Sequence, residues 1–419
     1  MNFKQTLFER YYLNALGILI ILYPISIVFS NFLSNSIVYL TAFSTIFYIS
    51  YTKKYKVFNN KFYIIFSIFC FYITARSLFV DSENYLFSLK SSFFLIRYLF
   101  FIIAIKFLIE KSQNFLKNFT RVLFIFMTIL VLDGFIQYIF SVNLIGMNAI
   151  NNRVSGLFGE HDLVLGSYIV RTMYLLIGLI ALTQNIINKN IFFMIVLFGT
   201  ILAFISGERS AFALSILGFV FFLFNINIFN KRKIVFFVIS LITIISLLTT
   251  FNPTSKQRFL QTISDISTAE NVLYFTEGHE SHWKSAYLMF ENNKLFGQGP
   301  NMFRILCDNK EFNINKKSCS THPHNFYIQL LAETGIVGTF FIFYLLFRII
   351  ILSLNNIIRI IKKEKNTFSI YKLAMLTCLW INFWPILPSG NFFSSFLGNI
   401  IVLSIAFIGI KGKKTNEFN

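Results

Sequence analysis

The chain has 419 residues, of which 56% are hydrophobic and 19% aromatic, and a formal net charge of +19 at pH 7. Only 13% of its residues are charged, whereas a soluble chain of this size carries about a quarter. Its apolar residues come in blocks about twenty residues long, enough to cross a hydrocarbon core of about 30 Å. These values exclude an ordinary soluble protein and predict an all-α polytopic membrane protein.

About twelve membrane-spanning helices are predicted from these blocks. The first starts near Leu13, lacks the small-residue cleavage site of a signal peptide and is followed by further spans, so we expect it to be retained. In chain order the predicted spans are 13–33, 36–51, 61–80, 93–109, 119–142, 163–183, 190–206, 210–229, 233–251, 326–353, 370–387 and 391–410. They divide the chain into nine spans in 1–251, a loop in 252–325, and three spans with a tail in 326–419.

Lysines and arginines set the predicted orientation, because loops on the cytoplasmic side of a membrane are enriched in them. If the N-terminus is cytoplasmic, every cytoplasmic connection is basic and both termini lie inside the cell. The cations concerned are Lys4, Arg10, Lys53, Lys54, Lys56, Lys61, Lys111, Lys117, Arg121, Lys189, Lys231, Arg232, Lys233, Arg359, Lys362, Lys363, Lys365, Lys411, Lys413 and Lys414. They are spread over short loops rather than along one stripe, so we expect no nucleic-acid partner.

The long loop 252–325 is predicted to lie outside the cytoplasm. Its middle, "HESHWKSAYLMFENNKLFGQG", carries apolar residues at helical spacing. Gly297, Gly299 and Pro300 follow, and such residues end a helix. We therefore expect a small helical subdomain over the outer face of the membrane.

Two cysteines of this loop, Cys307 and Cys319, precede His322 and His324 closely. An oxidising compartment favours a disulfide between such a pair, which would restrain the segment that leads to His322. Free thiols are one alternative. The other is a zinc site made by the two cysteines and the two histidines, although their spacing matches no standard zinc pattern.

Seven arginines are predicted to lie in outer loops or in the outer halves of spans, a placement that the positive-inside rule disfavours. They are Arg76, Arg97, Arg153, Arg171, Arg209, Arg258 and Arg304. Each one alone is explained if it reaches to the membrane surface or pairs with an acid. Together they predict a site for a multiply charged anion, because guanidinium groups match the geometry of phosphate.

Arg209 and Arg153 are the strongest candidates for phosphate ligands. "ISGERSAFALS" separates two apolar runs by one Gly-Glu-Arg-Ser turn, so Arg209 is predicted to lie near the start of a helix. A helix N-terminus already favours an anion. Arg153 lies in "NNRVSGLFGEHDLVLGSY", a polar, glycine-rich loop that runs into the next span.

The stretch "HPHNFYIQLLAETGIVG" places two histidines before an apolar helix. Pro323 restricts His322 to an extended conformation, and Asn325 is predicted to cap the helix that follows. Polar and small residues then form two stripes along this helix. The polar stripe is Asn325, Gln329 and Glu333, and the small-residue stripe is Ala332, Gly335 and Thr339.

His324, beside a diphosphate site, suits a general base that activates a sugar hydroxyl. The arginines would then stabilise the charge that develops on the leaving diphosphate. The chain has no paired acidic motif such as Asp-x-Asp, and this chemistry needs no metal and no cofactor. The alternative is that both histidines only cap the helix and bond to the loop.

Three segments resemble the O-antigen ligase and polymerase superfamily of membrane glycosyltransferases, over roughly 150–345. They are "SGERSAFALSI", "HWKSAYLMFENNKLFGQGPNMF" and "HPHNFYIQLLAETGIVG". The most specific part is His-Asn followed by Glu-Thr-Gly-x-x-Gly, here His324, Asn325, Glu333, Thr334, Gly335 and Gly338.

The resemblance implies a GT-C-like fold in a bacterial inner membrane, with the active site facing the periplasm. It implies inverting, metal-independent glycan transfer from an undecaprenyl-diphosphate carrier. It implies that Arg153 and Arg209 bind the diphosphate and that His324 acts on the acceptor. Family members often have an arginine where this chain has His279, so either a neighbour such as Arg258 supplies that charge or the diphosphate is bound differently.

Ligase and polymerase differ in the acceptor, which is lipid A–core for the first and another carrier-linked glycan for the second. One large late loop that ends in the histidine motif favours the ligase. A protein of a different class, a transporter or lipid flippase, is an alternative function. In either case we expect membrane lipids to surround the protein. Transporters often have two similar halves around a midplane site, whereas the ionisable residues here are predicted at the outer surface.

Overall fold

The structure, a computed structural model, describes residues 3–81, 83–112, 114–150, 153–159, 162–184, 188–226, 231–251, 277–364 and 368–410. Throughout these residues the regular structure is helical, with two isolated bridges in the connection after Phe140. The predicted all-α polytopic class is therefore confirmed. Arg258 and the first part of the long loop lie outside the described residues.

Fifteen α-helices are present in the described ranges, and each of the twelve predicted spans coincides with one of them. They are α1 Phe3–Phe29, α2 Asn31–Thr52, α3 Lys61–Ser77, α4 Tyr85–Phe93, α5 Arg97–Lys111, α6 Phe115–Phe140, α7 Leu165–Gln184, α8 Lys189–Ile205, α9 Arg209–Phe224, α10 Lys231–Phe251, α11 Glu277–Asn292, α12 Phe303–Leu306, α13 Phe326–Ile361, α14 Ile370–Asn382 and α15 Ser395–Ala406. Six stretches of the described chain are long and apolar enough to cross a membrane, and five further apolar helices are shorter.

Capping side chains set the helix boundaries that hydropathy misses. The predicted break between the first two spans lay at 34–35, but α2 already begins at Asn31. Ser30 ends one helix and caps the next, since its side chain accepts from the N–H groups of Phe32 and Leu33. A hydroxyl in this position satisfies donors that the first turn leaves unpaired.

The most enclosed helix is α7, which is buried from Leu165 to Ala181 and packs against α6, α8 and α14. Its N-terminal end and the start of α9 lie close together, because Glu208 bonds to the first turn of α7. The C-terminal end of α14 reaches the same region through Asn382, which accepts a hydrogen bond from Arg171 (3.1 Å). Three helices thus present their ends at one end of the bundle.

The long helix α13 is broken at Gly335, where φ is 64° and ψ is −169°. Residues 293–299, which we call the inserted segment, bond to the peptide groups that the break leaves unpaired. The bonds are Gln298 N–H to Ala332 O (2.9 Å), Gly299 N–H to Glu333 O (2.8 Å), Ile336 N–H to Lys294 O (2.9 Å) and Val337 N–H to Leu295 O (3.3 Å). Broken helices at membrane depth are tolerated where such groups find partners.

Only glycine fits at the break. A β-carbon on Gly335 would overlap the carbonyl of Leu295 and lie 2.5 Å from the nitrogen of Phe296. The sequence predicted close contact between helices at this position; the close approach is instead to the backbone of the inserted segment. Gly338 lies one turn later and is buried, with the Tyr72 ring 3.0 Å from where its β-carbon would lie.

Helix α3 holds the inserted segment in place. Arg76 donates from Nη2 to the carbonyl of Gly297 (2.6 Å), and Tyr72 donates from its hydroxyl to the carbonyl of Thr334 (2.7 Å). Arg76 therefore holds the inserted segment, and Tyr72 holds α13, against the same helix, α3.

Candidate active site

Four of the five histidines of the chain form one cluster, which we call the histidine cluster. His279 and His282 lie on α11, and His322 and His324 lie just before α13. The ring centroid of His324 is 4.3 Å from that of His322, 5.2 Å from that of His279 and 5.4 Å from that of His282. His324 is therefore the central member.

His324 has a left-handed backbone, with φ of 54°, which costs a residue other than glycine about 1–2 kcal/mol. The connection between α14 and α15 stabilises this conformation. Ser389 donates its N–H to the carbonyl of His324 (2.8 Å), and its hydroxyl accepts from the N–H of Phe326 (2.9 Å). This turn points the imidazole at the histidines of α11 instead of along α13.

The two loop histidines differ in their hydrogen bonds. Nδ1 of His322 lies 3.0 Å from the hydroxyl of Thr321, and its Nε2 lies 3.3 Å from the carbonyl of Ser389. For His324, Nε2 lies 3.3 Å from the hydroxyl of Ser320, and within the described residues Nδ1 has no partner. His322 is thus held at both nitrogens, whereas His324 is held at one.

Burial and mutual repulsion keep these imidazoles neutral. Burial lowers the pKa of His324 to about 3 and that of His322 to about 4, and the charges of neighbouring histidines add to both effects. Burial also lowers the pKa of His279. A neutral imidazole has one nitrogen that accepts a proton, so His324 and His322 are in the state that a base requires at neutral pH.

The polar stripe of α13 positions the residues around His324. Asn325 caps the helix by accepting from the N–H groups of Tyr327 and Ile328, and its amide donates to the carbonyl of Pro385 (2.7 Å). The Glu333 carboxylate accepts from the backbone N–H groups of Asn301 and Phe303, both at 2.9 Å. Gln329 donates to Glu333 (3.1 Å). Glu333 therefore organises the loop rather than reaching a substrate.

Cys307 and Cys319 form a disulfide, with Cα atoms 5.3 Å apart. This bond uses both cysteines of the alternative zinc site. Arg304 lies on α12, just before Cys307, and donates from Nε and Nη2 to the carbonyl of Thr321 (3.3 and 3.2 Å). Its charge contributes to the low pKa of His322. Arg304 thus lies on one side of the histidine cluster.

A second group, which we call the arginine cluster, surrounds the turn between α8 and α9. It consists of Arg153, Arg171 and Arg209. Arg153 donates to the carbonyls of Ser206 (3.4 Å) and Leu163 (3.5 Å). Arg209 is the first residue of α9 and is exposed.

Glu208 lies at the centre of the arginine cluster. Its carboxylate accepts from the N–H groups of Gly166 (2.6 Å) and Ser167 (3.0 Å) at the start of α7. Burial raises the pKa of Glu208 to about 7, although these two bonds and Arg153 oppose the rise. At neutral pH this carboxyl therefore neutralises the arginines around it only in part.

The other arginines of the predicted set do not join this cluster, so the expectation of one convergent group is wrong in part. Arg76 binds backbone carbonyls of the inserted segment, and Arg97 bonds to Tyr39, Asn35 and Tyr98. Arg304 lies by His322, and Arg258 lies outside the described residues. Orientation rules predict on which side of the membrane a cation lies, but they do not predict its position within the plane of the membrane.

A short connection joins the two clusters. Arg171, which is 5% exposed, donates to Asn382 at the end of α14, and seven residues later Ser389 binds His324. Seven residues span at most about 25 Å even when fully extended. Both clusters therefore lie at the same end of the bundle.

Three residues near the histidine cluster were not predicted from the sequence: His282, Ser389 and Asn391. His282 lies one turn from His279 on α11, a spacing that puts both side chains on one face and so was a usable signal. Ser389 and Asn391 lie in the connection after α14, where Asn391 accepts from Gln329 (2.7 Å). No local pattern indicated that this connection folds back onto α13.

The comparison with protein families matches residues 193–343 to a model described as O-antigen ligase. The match begins in α8 and ends in α13, so it includes Arg209, the histidine cluster and the break at Gly335, but not Arg153. No curated protein matches the chain. This match confirms the predicted resemblance, and the family it names acts on glycans and lipid-linked substrates in general. Over residues 193–343 the chain therefore resembles the O-antigen ligase family, as the sequence predicted.

Proposed function

We propose that this protein transfers a glycan from an undecaprenyl-diphosphate carrier to lipid A–core, at the periplasmic face of a bacterial inner membrane. The observation that supports it best is the neutral His324 imidazole at the same end of the bundle as Arg153 and Arg209. A proton acceptor and a cationic anchor are the two groups that such a transfer needs. In this proposal both termini are cytoplasmic and the loop 252–325 is periplasmic.

The arginine cluster would bind the donor diphosphate. Arg209 is exposed at the start of α9, where the helix dipole adds to its charge. Arg153 lies against the same turn, and Arg258 is the third ligand proposed from the sequence. Bidentate guanidinium bonds would stabilise the negative charge on the diphosphate as its bond to the sugar breaks. Because the arginines supply this charge, the proposal needs no metal.

His324 would accept the proton of the acceptor hydroxyl. The hydroxyl oxygen then attacks the anomeric carbon from the side opposite the diphosphate, the carbon–oxygen bond to the diphosphate breaks, and the configuration inverts. A pKa of about 3 makes the free imidazole a weak base. A nearby dianion favours protonated histidine, so the bound donor would raise the pKa of His324 and prepare it for the transfer.

His279, which stands where family members often have an arginine, would support His324 rather than bind phosphate. Its ring lies 5.2 Å from that of His324, and burial keeps it neutral. We assign the missing charge on this side to Arg304, in addition to Arg258, which was proposed from the sequence alone. The Arg304 guanidinium is exposed and lies near His322.

The direct test is transfer by the purified protein in lipid nanodiscs, from a purified lipid-linked glycan, with acceptors offered one at a time. Glycan on lipid A–core would support the ligase, and elongation of a carrier-linked glycan would support the polymerase instead. Movement of the lipid-linked glycan across the bilayer without transfer would contradict the proposal and favour a flippase.

Arg209→Lys is expected to lower the transfer rate about tenfold, because a point charge cannot replace two parallel N–H donors. The rate is measured with saturating acceptor and varied donor. Arg359→Lys, at the far end of α13, is the matched control and should leave the rate unchanged. An unchanged rate for Arg209→Lys would remove bidentate binding from the proposal.

A further inference from the structure

A cavity of about 160 Å³ lies among the N-terminal ends of α2, α5 and α15 and the last turn of α4. Its polar lining consists of two cations and several hydroxyls. These are Lys90, Arg97, Tyr39, Tyr98, Ser91, Ser394 and Ser395. None of these residues belongs to the histidine cluster or the arginine cluster.

Among the described residues, no acid neutralises the positive charge of the cavity. Arg97 donates to the hydroxyls of Tyr39 (2.8 Å) and Tyr98 (3.3 Å) and to the amide oxygen of Asn35 (3.2 Å). Its Nε is buried and has no hydrogen-bond partner within the described residues. In the same part of the chain, neither Arg97 nor Lys90 forms an ion pair with a carboxylate. An anion in the cavity would therefore meet two uncompensated cations.

The guanidinium is held in a fixed position. Asn35, which accepts from Arg97, donates in turn to the hydroxyl of Ser395 (2.9 Å). Tyr98 donates to Asn399 of α15 (2.9 Å). The first turn of α15 also adds the positive end of a helix dipole. Donors fixed before a ligand arrives lose less entropy when they bind it.

The cavity is connected to the histidine cluster through α4. The hydroxyl of Ser91 accepts from the side chain of Asn301 (3.0 Å), whose backbone N–H donates to Glu333. Phe87, one turn before Ser91, lies 5.9 Å from the Arg304 guanidinium. The cavity is therefore about one helical turn from the side of the active site that Arg304 occupies.

We propose that this cavity binds a phosphate monoester carried by the acceptor saccharide, and so orients the acceptor toward His324. The acceptor role rests on the proposed function. The volume is below the roughly 300 Å³ of a pocket for a whole small molecule. The cavity would therefore hold only the phosphate group, while the rest of the saccharide stays outside. Several hydroxyl donors around two cations suit the oxygens of a phosphate monoester.

The test is binding of glucose 6-phosphate to the purified full-length protein, with glucose as the neutral control. Lys90→Gln should weaken the binding of glucose 6-phosphate about threefold, as expected for one exposed charge. Arg97→Gln should weaken it about tenfold or more. Lys310→Gln, an exposed lysine of the loop between the two cysteines, is the matched control and should change nothing.

Equal affinity for glucose and glucose 6-phosphate, or an unchanged affinity in Lys90→Gln, would overturn the proposal. Lys90 is exposed, so we expect its replacement to keep the fold intact. The Lys90→Gln measurement therefore tests the proposal even if Arg97→Gln fails to fold. In the transfer assay, Lys90→Gln should raise KM for a phosphorylated acceptor and not for a dephosphorylated one. If Lys90→Gln raised only the KM for the donor, the cavity would bind the carrier instead of the acceptor, and the proposal would be overturned. Phosphate-dependent binding without any transfer would refute the proposed function separately.

Discussion

Replacing His324 is expected to lower the rate of glycan transfer by about 10²–10⁴-fold, the usual contribution of a general base. His324→Asn is the informative variant, because asparagine tolerates a left-handed backbone and the φ of 54° can be kept. His324→Ala removes the same nitrogen but adds strain. The rate is measured with purified donor and acceptor, after the protein has been shown to remain folded in the membrane.

Ser320→Ala is the control for His324, because it removes only the bond at 3.3 Å to Nε2 and should reduce the rate a few-fold at most. A His324→Asn protein with the wild-type rate would show that another group takes the proton. The acid limb of kcat should also lie at higher pH than that of kcat/KM, because bound diphosphate raises the pKa of His324 from the value of about 3 in the free protein.

Gly335→Ala is expected to destabilise the protein by about 3 kcal/mol or more, the sum of left-handed strain and overpacking. The φ of 64° disfavours any side chain, and the new β-carbon would overlap the carbonyl of Leu295. The measurement is the temperature at which the detergent-solubilised protein loses its monodisperse peak in size-exclusion chromatography.

Gly278→Ala is the matched control for Gly335→Ala. Gly278 lies in the first turn of α11, and a β-carbon there would meet no atom within 4 Å. Its variant should be as stable as the wild type or slightly more stable, since alanine favours a helix. Equal stability of both variants would mean that the inserted segment does not approach Gly335 closely.

The spans were predictable from the sequence because the membrane requires long apolar blocks, and each predicted block coincides with a helix. The Asn325 cap was predictable because a cap binds residues two and three positions later. Ser389, which binds His324, lies 65 residues after it in the chain, and such distant pairings leave no local signal. Hydropathy also cannot reveal a break at Gly335, because both halves of α13 are apolar.

For the arginines, too, one property could be predicted from the sequence and another could not. Their side of the membrane follows from charge bias, but their partners are set by packing. Arg153 lies against the Ser206–Arg209 turn, whereas Arg97, a member of the same predicted set, lines a separate cavity with Tyr39 and Tyr98. Two arginines that the sequence places on the same side of the membrane are therefore proposed to bind different ligands.

The contacts of α3 have a consequence for biosynthesis. Arg76 and Tyr72 bind carbonyls that lie 221 and 262 residues further along the chain. A ribosome that releases α3 into the bilayer must therefore translate most of the remaining protein before either side chain meets its partner. The early helices reach their final packing only late in synthesis, and a nascent chain that stops before Gly297 leaves the Arg76 guanidinium without these carbonyls.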